Sequence, residues 1–195
     1  MKLGILWIAL FLFTCNIAFA QTADKLRRGQ PTIGVVIIGS SDYKSQDFYE
    51  YLYGQLRTED NRGYNIVVGN DPQNKYMEYW LEQDFLEEQK PKKEDFFKFT
   101  EFSKYDKVLF LIIKDPVTEK HSRPGGLFTT VTQTRASVTV NAFLCTNASI
   151  IKTYSVTKQD DSEWSDMRAK MGALKKSARD IGKALKPYFK RNSLK

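Results

Sequence analysis

The sequence predicts an α/β fold of the α+β kind: a mixed sheet of about five strands with packed helices, in the order β-α-β-α-α-β-β-β-α. Three observations predict it. Two near-continuous apolar runs, Thr32–Gly39 and Lys107–Lys114, have the composition of strands covered on both faces. The stretch from Thr129 to Leu144 alternates apolar and polar residues over much of its length, the period of a strand. The C-terminal segment steps by three and four residues through Trp164, Met167, Met171, Leu174, Ala178, Ile181, Leu185 and Tyr188, the period of an amphipathic helix.

The elements follow in order. Thr32-Ile33-Gly34-Val35-Val36-Ile37-Ile38 reads as a central strand that ends in Gly39-Ser40-Ser41-Asp42. From Ser45, the spacing of Phe48, Leu52, Tyr53 and Leu56 is helical, and Asn61-Arg62-Gly63 closes the segment with turn chemistry. Tyr64–Val68 reads as a second strand and Asn70-Asp71-Pro72 as a turn. Met77, Trp80, Leu81, Phe85 and Leu86 recur at helical spacing in a segment that stops before Pro91, and a short helix carries Phe96, Phe97, Phe99 and Phe102. After the strand that begins at Lys107, Asp115-Pro116 leads into a Gly- and Pro-containing loop, Thr118–Gly126. Thr129–Leu144 is one long strand or two joined by a bulge. Thr146-Asn147-Ala148 turns the chain into Ser149–Thr157 as an antiparallel hairpin, and Asp161 or Ser162 caps the last helix.

The first residues have the three parts of a secretory signal: Lys2, an apolar run from Leu3 to Phe13 broken only by Gly4, and Ala18-Phe19-Ala20 as a cleavage site. The expected organisation is a signal peptide over 1–20, a polar leader over 21–31, a single globular domain over 32–190 and a basic tail over 191–195. The apolar run is too short for a bilayer core of about 30 Å, and no second such run follows, so no transmembrane segment is expected in the mature chain. A lipidated cysteine is preceded by a small residue. Phe13 and Thr14 lie ahead of Cys15, which favours cleavage after Ala20 over lipid attachment at Cys15.

Of the 195 residues, 175 remain after that cleavage, enough for one core, and the formal charge falls from +7 to +6 with the loss of Lys2. Cys145 is then the one cysteine left, so no intramolecular disulfide forms, and its place in Ala142-Phe143-Leu144-Cys145 makes it a buried, inert thiol. Charge is divided along the chain. Asp71–Asp106 holds 10 acidic and 6 basic residues, whereas Met167–Lys195 holds 10 basic residues and one Asp.

No motif nominates a catalytic residue, a cofactor or a metal. His121 sits alone in Lys120-His121-Ser122-Arg123-Pro124-Gly125-Gly126, without a Gly-x-Ser-x-Gly elbow or a Cys-His pair. One histidine and one mature cysteine are too few for a zinc site, no EF-hand loop accompanies Glu87-Glu88 or Asp160-Asp161, and Gly34 and Gly39 belong to no phosphate-loop pattern. Asn147-Ala148-Ser149 fits a glycosylation sequon that matters only in a host that uses it. A pair of glycosidase-type carboxylates would be invisible in sequence, which keeps a small extracytoplasmic hydrolase as the rival reading. The residues offered for contact with a partner or an anionic surface are Lys120, His121 and Arg123 in the loop and Lys175, Lys176, Arg179, Lys183 and Lys186 on the last helix. Export and the lack of a recognition motif argue against nucleic acid.

The strand Ile33–Ile38, "DKVLFLII" from Asp106, "ASVTVNAFL" from Ala136 and the terminal helix with "KKSARDIGKAL" from Lys175 together resemble a group of bacterial envelope domains. The group comprises the curli-secretion lipoprotein, the penicillin-binding-protein activator lipoprotein and the amino-terminal domain of the Tol-Pal translocation protein. The resemblance covers most of the mature chain. It implies a non-catalytic domain that binds envelope proteins or assembles into larger structures. The chain departs from the group in lacking a fitting lipidation cysteine and a membrane-spanning hairpin, so neither outer-membrane anchoring nor pore formation carries over. The expectation is an exported binding or assembly module, periplasmic or extracellular, that engages a cell-envelope protein, with homo-oligomers through a strand edge as a further possibility.

Overall fold

A computed structural model describes residues 29–57, 63–83, 91–126 and 129–189. The signal, Cys15, most of the leader, Phe85, Leu86 and the basic tail lie outside the described residues.

The elements run β1 (Thr32–Ile38), α1 (Gln46–Leu56), β2 (Asn65–Val67), α2 (Asn70–Glu82), α3 (Lys93–Ser103), β3 (Lys107–Ile113), β4 (Val117–Gly126), β5 (Thr129–Cys145), β6 (Ile150–Ser162) and α4 (Asp166–Leu185). The fold class is the one expected, α+β with a mixed, open sheet and four helices packed on it. β1 runs parallel to β2 and β3, while β3, β4 and β6 all pair antiparallel with β5.

The 17-residue β5 organises the later half of the sheet. Its C-terminal part pairs with β3 from Val108↔Cys145 to Ile113↔Val140, and its N-terminal part pairs with β4 from Val117↔Ser137 onward. Residues 134–137 of β5 also pair with β6, as do residues 140–144, so β3 and β4 share one edge of β5 and β6 takes the other. From Ile113 to Val117 the chain advances four residues while β5 advances three, a one-residue bulge that bends one long strand into β3 and β4. Lys114 N–H still bonds the Thr139 carbonyl across it, at 3.0 Å.

This overturns the loop expected over Thr118–Gly126. Its charges, Pro124 and glycines carry loop composition, but its partner is β5, and edge strands tolerate both Pro and charge. The sheet accordingly has six strands.

Core residues divide by strand parity. On the front face Ile33, Val35, Ile37, Leu109, Leu111, Val140, Ala142 and Leu144 meet Phe48, Leu52 and Leu56 of α1 and Leu174, Ala178, Ile181 and Leu185 of α4. On the rear face Val36, Val108, Phe110 and Cys145 meet Tyr79 of α2 and Phe96 and Phe99 of α3. Phe96 stacks on Phe110 at 4.3 Å between ring centroids, and Tyr76 meets Phe99 edge-on at 5.1 Å. Cys145 is buried here as expected.

Three local expectations change. Asn70-Asp71-Pro72 is the first turn of α2, not a free turn, because a proline there lacks only an N–H that the helix leaves unbonded anyway. Met77 and Leu81 of the expected stripe face solvent at 60% and 73% exposure while its Trp80 packs half-buried against the rear core, and α2 buries Gln73 and Tyr79 with Tyr76 half-buried. The cap of α4 is Ser165, whose hydroxyl accepts from Arg168 N–H at 3.2 Å. Asp161 and Ser162 are instead the end of β6, which runs five residues past Thr157.

Candidate functional site

α2 and α3 cover the rear face only as far as Phe143, and among the described residues no helix packs on the later half of that face. Cross-strand pairs line it in rows: Asn141 with Ser155, Thr139 with Thr157, Ser137 with Gln159 and Arg135 with Asp161, continued along β4 by Val117, Glu119, His121 and Arg123. Thr153, Ser155, Thr157 and Gln159 are exposed, and Ser137, Thr139 and Asn141 half-exposed. The rows are tied together: Ser155 Oγ donates to Asn141 Oδ1 at 2.7 Å, and the Thr139 and Thr157 hydroxyls lie 2.8 Å apart.

Charge pairs close the far end. Arg135 Nε and Nη2 donate to the two Asp161 carboxylate oxygens at 2.8 and 3.1 Å. Arg123 pairs with Glu163, which also accepts from Gln133 Nε2 at 2.9 Å. The Arg135 hydrogen bonds hold Asp161 below the usual carboxylate range, and those from Arg123 and then Gln133 do the same for Glu163. Both are therefore ionised at neutral pH and occupied by guanidinium, the reverse of what a general acid requires.

The structure separates the residues expected to act together. In β4, Lys120 registers with Thr134, whose hydroxyl donates to Asp166 Oδ1 at 2.7 Å on the front face at the start of α4. His121 and Arg123 register with Gln133 and Val131 on the rear face. The cluster read as one flexible loop is thus two faces of one strand.

The cations of α4 also divide. Lys175 Nζ lies 5.5 Å from the Tyr51 ring centroid of α1, and Lys176 Nζ donates to Asp160 Oδ1 at 2.7 Å and to the Gln159 carbonyl at 3.0 Å. These two pin the helix to its neighbours. Arg179, Lys183 and Lys186 are exposed and, among the described residues, enter no ion pair.

Sequence reading missed Arg135, Asp161, Glu163 and the hydroxyl rows. Their signal was present: in both Gln133–Asn141 and Thr153–Asp161 every second residue is polar, and the two series face the same way only once β5 and β6 are in register.

Elsewhere, Tyr105 O–H donates to Asp71 Oδ2 at 2.5 Å, with Lys75 Nζ 4.4 Å from the ring centroid. Burial and then the Asp71 bond push the phenol well above its usual value, so Tyr105 stays protonated and locks α2 to the start of β3. Among the described residues, no group of three or more His, Cys, Asp or Glu side chains could hold a metal ion, and no helix is long and apolar enough to cross a membrane.

No protein-family model matches the chain, and no curated protein matches it. Solved structures do. A Helicobacter pylori protein described as a homolog of the neuraminyllactose-binding hemagglutinin is 9% identical, with a TM-score of 0.40 over 84% of each chain. A hypothetical protein from Chlamydia trachomatis is 13% identical, with a TM-score of 0.40 over 82% of this chain and 98% of its own. A lipoprotein from Neisseria meningitidis is 12% identical, with a TM-score of 0.39 over 78% of this chain and 99% of its own.

Proposed function

We propose that the protein is a non-enzymatic binding module of the cell envelope, exported to the periplasm or the extracellular space, on which a protein partner docks through the rear face of β4, β5 and β6. The observation that carries this reading is the half of the sheet that no helix covers among the described residues, where exposed hydroxyls and amides stand in tied rows beside the Arg135–Asp161 pair. A flat array of donors and acceptors held by a sheet loses little freedom on binding and suits a polar partner surface with bridging waters. The resemblance to the curli-secretion lipoprotein group, whose members bind or assemble, points the same way. A small extracytoplasmic hydrolase is less well supported, because the carboxylates of this face, Asp161 and Glu163, are engaged by arginines.

Cross-linking in the native host tests the reading, with tagged wild-type protein beside a Ser155→Arg/Thr157→Arg variant. Both positions are exposed and their lost hydrogen bonds to Asn141 and Thr139 lie at the surface, so a circular dichroism melt close to that of the wild type is expected and is measured alongside. One stoichiometric envelope partner is expected with the wild type and not with the variant. Free monomer in the soluble fraction with both proteins sinks the proposal and moves the search to activity screens.

A further inference from the structure

The outer row of α4 carries the exposed cations Arg168, Arg179, Lys183 and Lys186, and it lies on the front of the sheet, opposite the rear face. Arg168, Arg179 and Lys183 of the 20-residue α4, about 30 Å long, and Lys186 at its C-cap are separated by 11, 4 and 3 residues, so they fall in one line. The apolar side of the helix is not available to a ligand, since Ala173, Leu174, Ala178, Ile181 and Leu185 are buried in the core.

Of the acidic groups beside the row, Asp160 is taken by Lys176 and Asp180 by Lys158 of β6 at 2.6 Å, while Asp166 accepts from the Thr134 hydroxyl, so the four outward cations outnumber the acidic charge left to offset them. At the N-terminal end of the row stands Trp164, 81% exposed, with the Arg168 guanidinium carbon 5.6 Å from its ring. An indole left in water beside an arginine gains little from folding. Trp and Arg together match the chemistry of a lipid headgroup region, where the indole has an apolar body for the acyl boundary and the cations meet phosphates.

We propose that the outer row of α4, with Trp164 at its end, is a peripheral docking surface for an anionic phospholipid bilayer. The partner is identified by charge complementarity along the row and by the exposed indole at one end. No part of α4 has to leave the core, so the contact is reversible and weakens with salt. Bound this way, the sheet turns its open rear face away from the lipid.

The test uses the exported form, without residues 1–20, and vesicles of phosphatidylcholine alone or mixed with phosphatidylglycerol. Binding to the mixed vesicles at low salt is expected, with little binding to phosphatidylcholine alone. Each cation removed should weaken binding about fivefold. The Arg179→Gln/Lys183→Gln/Lys186→Gln variant therefore loses about a hundredfold and keeps a cooperative melt close to that of the wild type, because these side chains are exposed and, among the described residues, act only on Asp180, which Lys158 already pairs. A second readout separates lipid contact from mere charge: in a Trp80→Phe background, the emission of Trp164 shifts to shorter wavelength on adding the mixed vesicles. Equal binding to both kinds of vesicle, undiminished binding of the triple variant, or an unshifted Trp164 emission overturns the proposal.

Discussion

Arg135 and Asp161 face each other across β5 and β6, joined by two hydrogen bonds of 2.8 and 3.1 Å near the end of β6, beyond which β5 pairs with β4 alone. A bidentate pair fixes the planes of both groups, and so fixes the register of the two strands. Both side chains are exposed, so the pair orders the surface more than it stabilises the fold. Its pH dependence has one sign. Asp161 and Glu163 both have folded-state values below their ordinary ones, so their contribution is complete above the ordinary carboxylate range of about 4 and is lost as pH falls through the lowered values. The protection of amides at Val117–Arg123 and Val131–Arg135, relative to their intrinsic exchange at the same pH, should therefore fall on acidification below about pH 4, before that of the central strands β1 and β3. Simultaneous exchange in all strands would contradict this.

Two glycines of α4 should respond differently to alanine. A Cβ on Gly182 would come within 2.6 Å of the Gln55 carbonyl oxygen, a backbone atom of α1 that cannot swing aside. Gly182→Ala should cost about 1–3 kcal/mol in urea unfolding, as overpacked cores do. A Cβ on Gly172 would meet the Asp160 carboxylate, the free end of a side chain, at 1.6 Å. Gly172→Ala displaces the Asp160–Lys176 bridge but removes a helix-interior glycine, worth about 0.5–1 kcal/mol, so its net effect should lie near zero. Equal losses at both positions would show that the close approach of α1 and α4 is not what Gly182 serves.

Tyr105 lies flat against Gly34 of β1, where an added Cβ would meet its ring at 2.3 Å. Gly34→Ala should displace the ring, break the Asp71 bond and cost about 1–3 kcal/mol. Because the phenol is held protonated in the folded protein, its contribution is whole below the ordinary tyrosine value of about 10 and declines as pH rises above it. Tyr105→Phe should cost about 1 kcal/mol at pH 7, since Asp71 is mostly exposed and regains water. The same variant should flatten the alkaline arm of the stability profile; an unchanged alkaline arm would remove the lock from the account.

Burial pushes the Cys145 thiol up to about 12. In native protein at pH 8 the thiol should resist a thiol reagent on a timescale of hours and react within minutes once urea unfolds the chain. Prompt labelling of the native state would place Cys145 somewhere other than beneath α3.

Much of the fold was legible because its elements announce themselves by period. β1 and β3 are near-continuous apolar runs, as expected of strands covered on both faces, and α4 keeps its stripe from Ala173 to Leu185. β4 was hidden because an edge strand answers to its partner more than to its own composition, and nothing local shows that Val117 will lie opposite Ser137. α2 misled for a different reason: it buries tyrosines and a glutamine against aromatic rings, and leaves Met77 and Leu81 outside. The candidate surface was the least legible part. Lys120 and His121 are neighbours in sequence but point to opposite faces, whereas Arg135 and Asp161 are 26 residues apart and touch. A site made of cross-strand pairs exists only when register is known.

The central claim, that a partner docks on the open rear face, is tested most directly by site-resolved photo-cross-linking in the native host. A photoreactive side chain is placed in turn at Thr157 on that face, at Glu78 on the exposed side of α2 and at Lys183 on α4. The account predicts one protein adduct of constant mass from Thr157 and none of that mass from Glu78 or Lys183. The same adduct from Glu78 or Lys183 with none from Thr157 would contradict it.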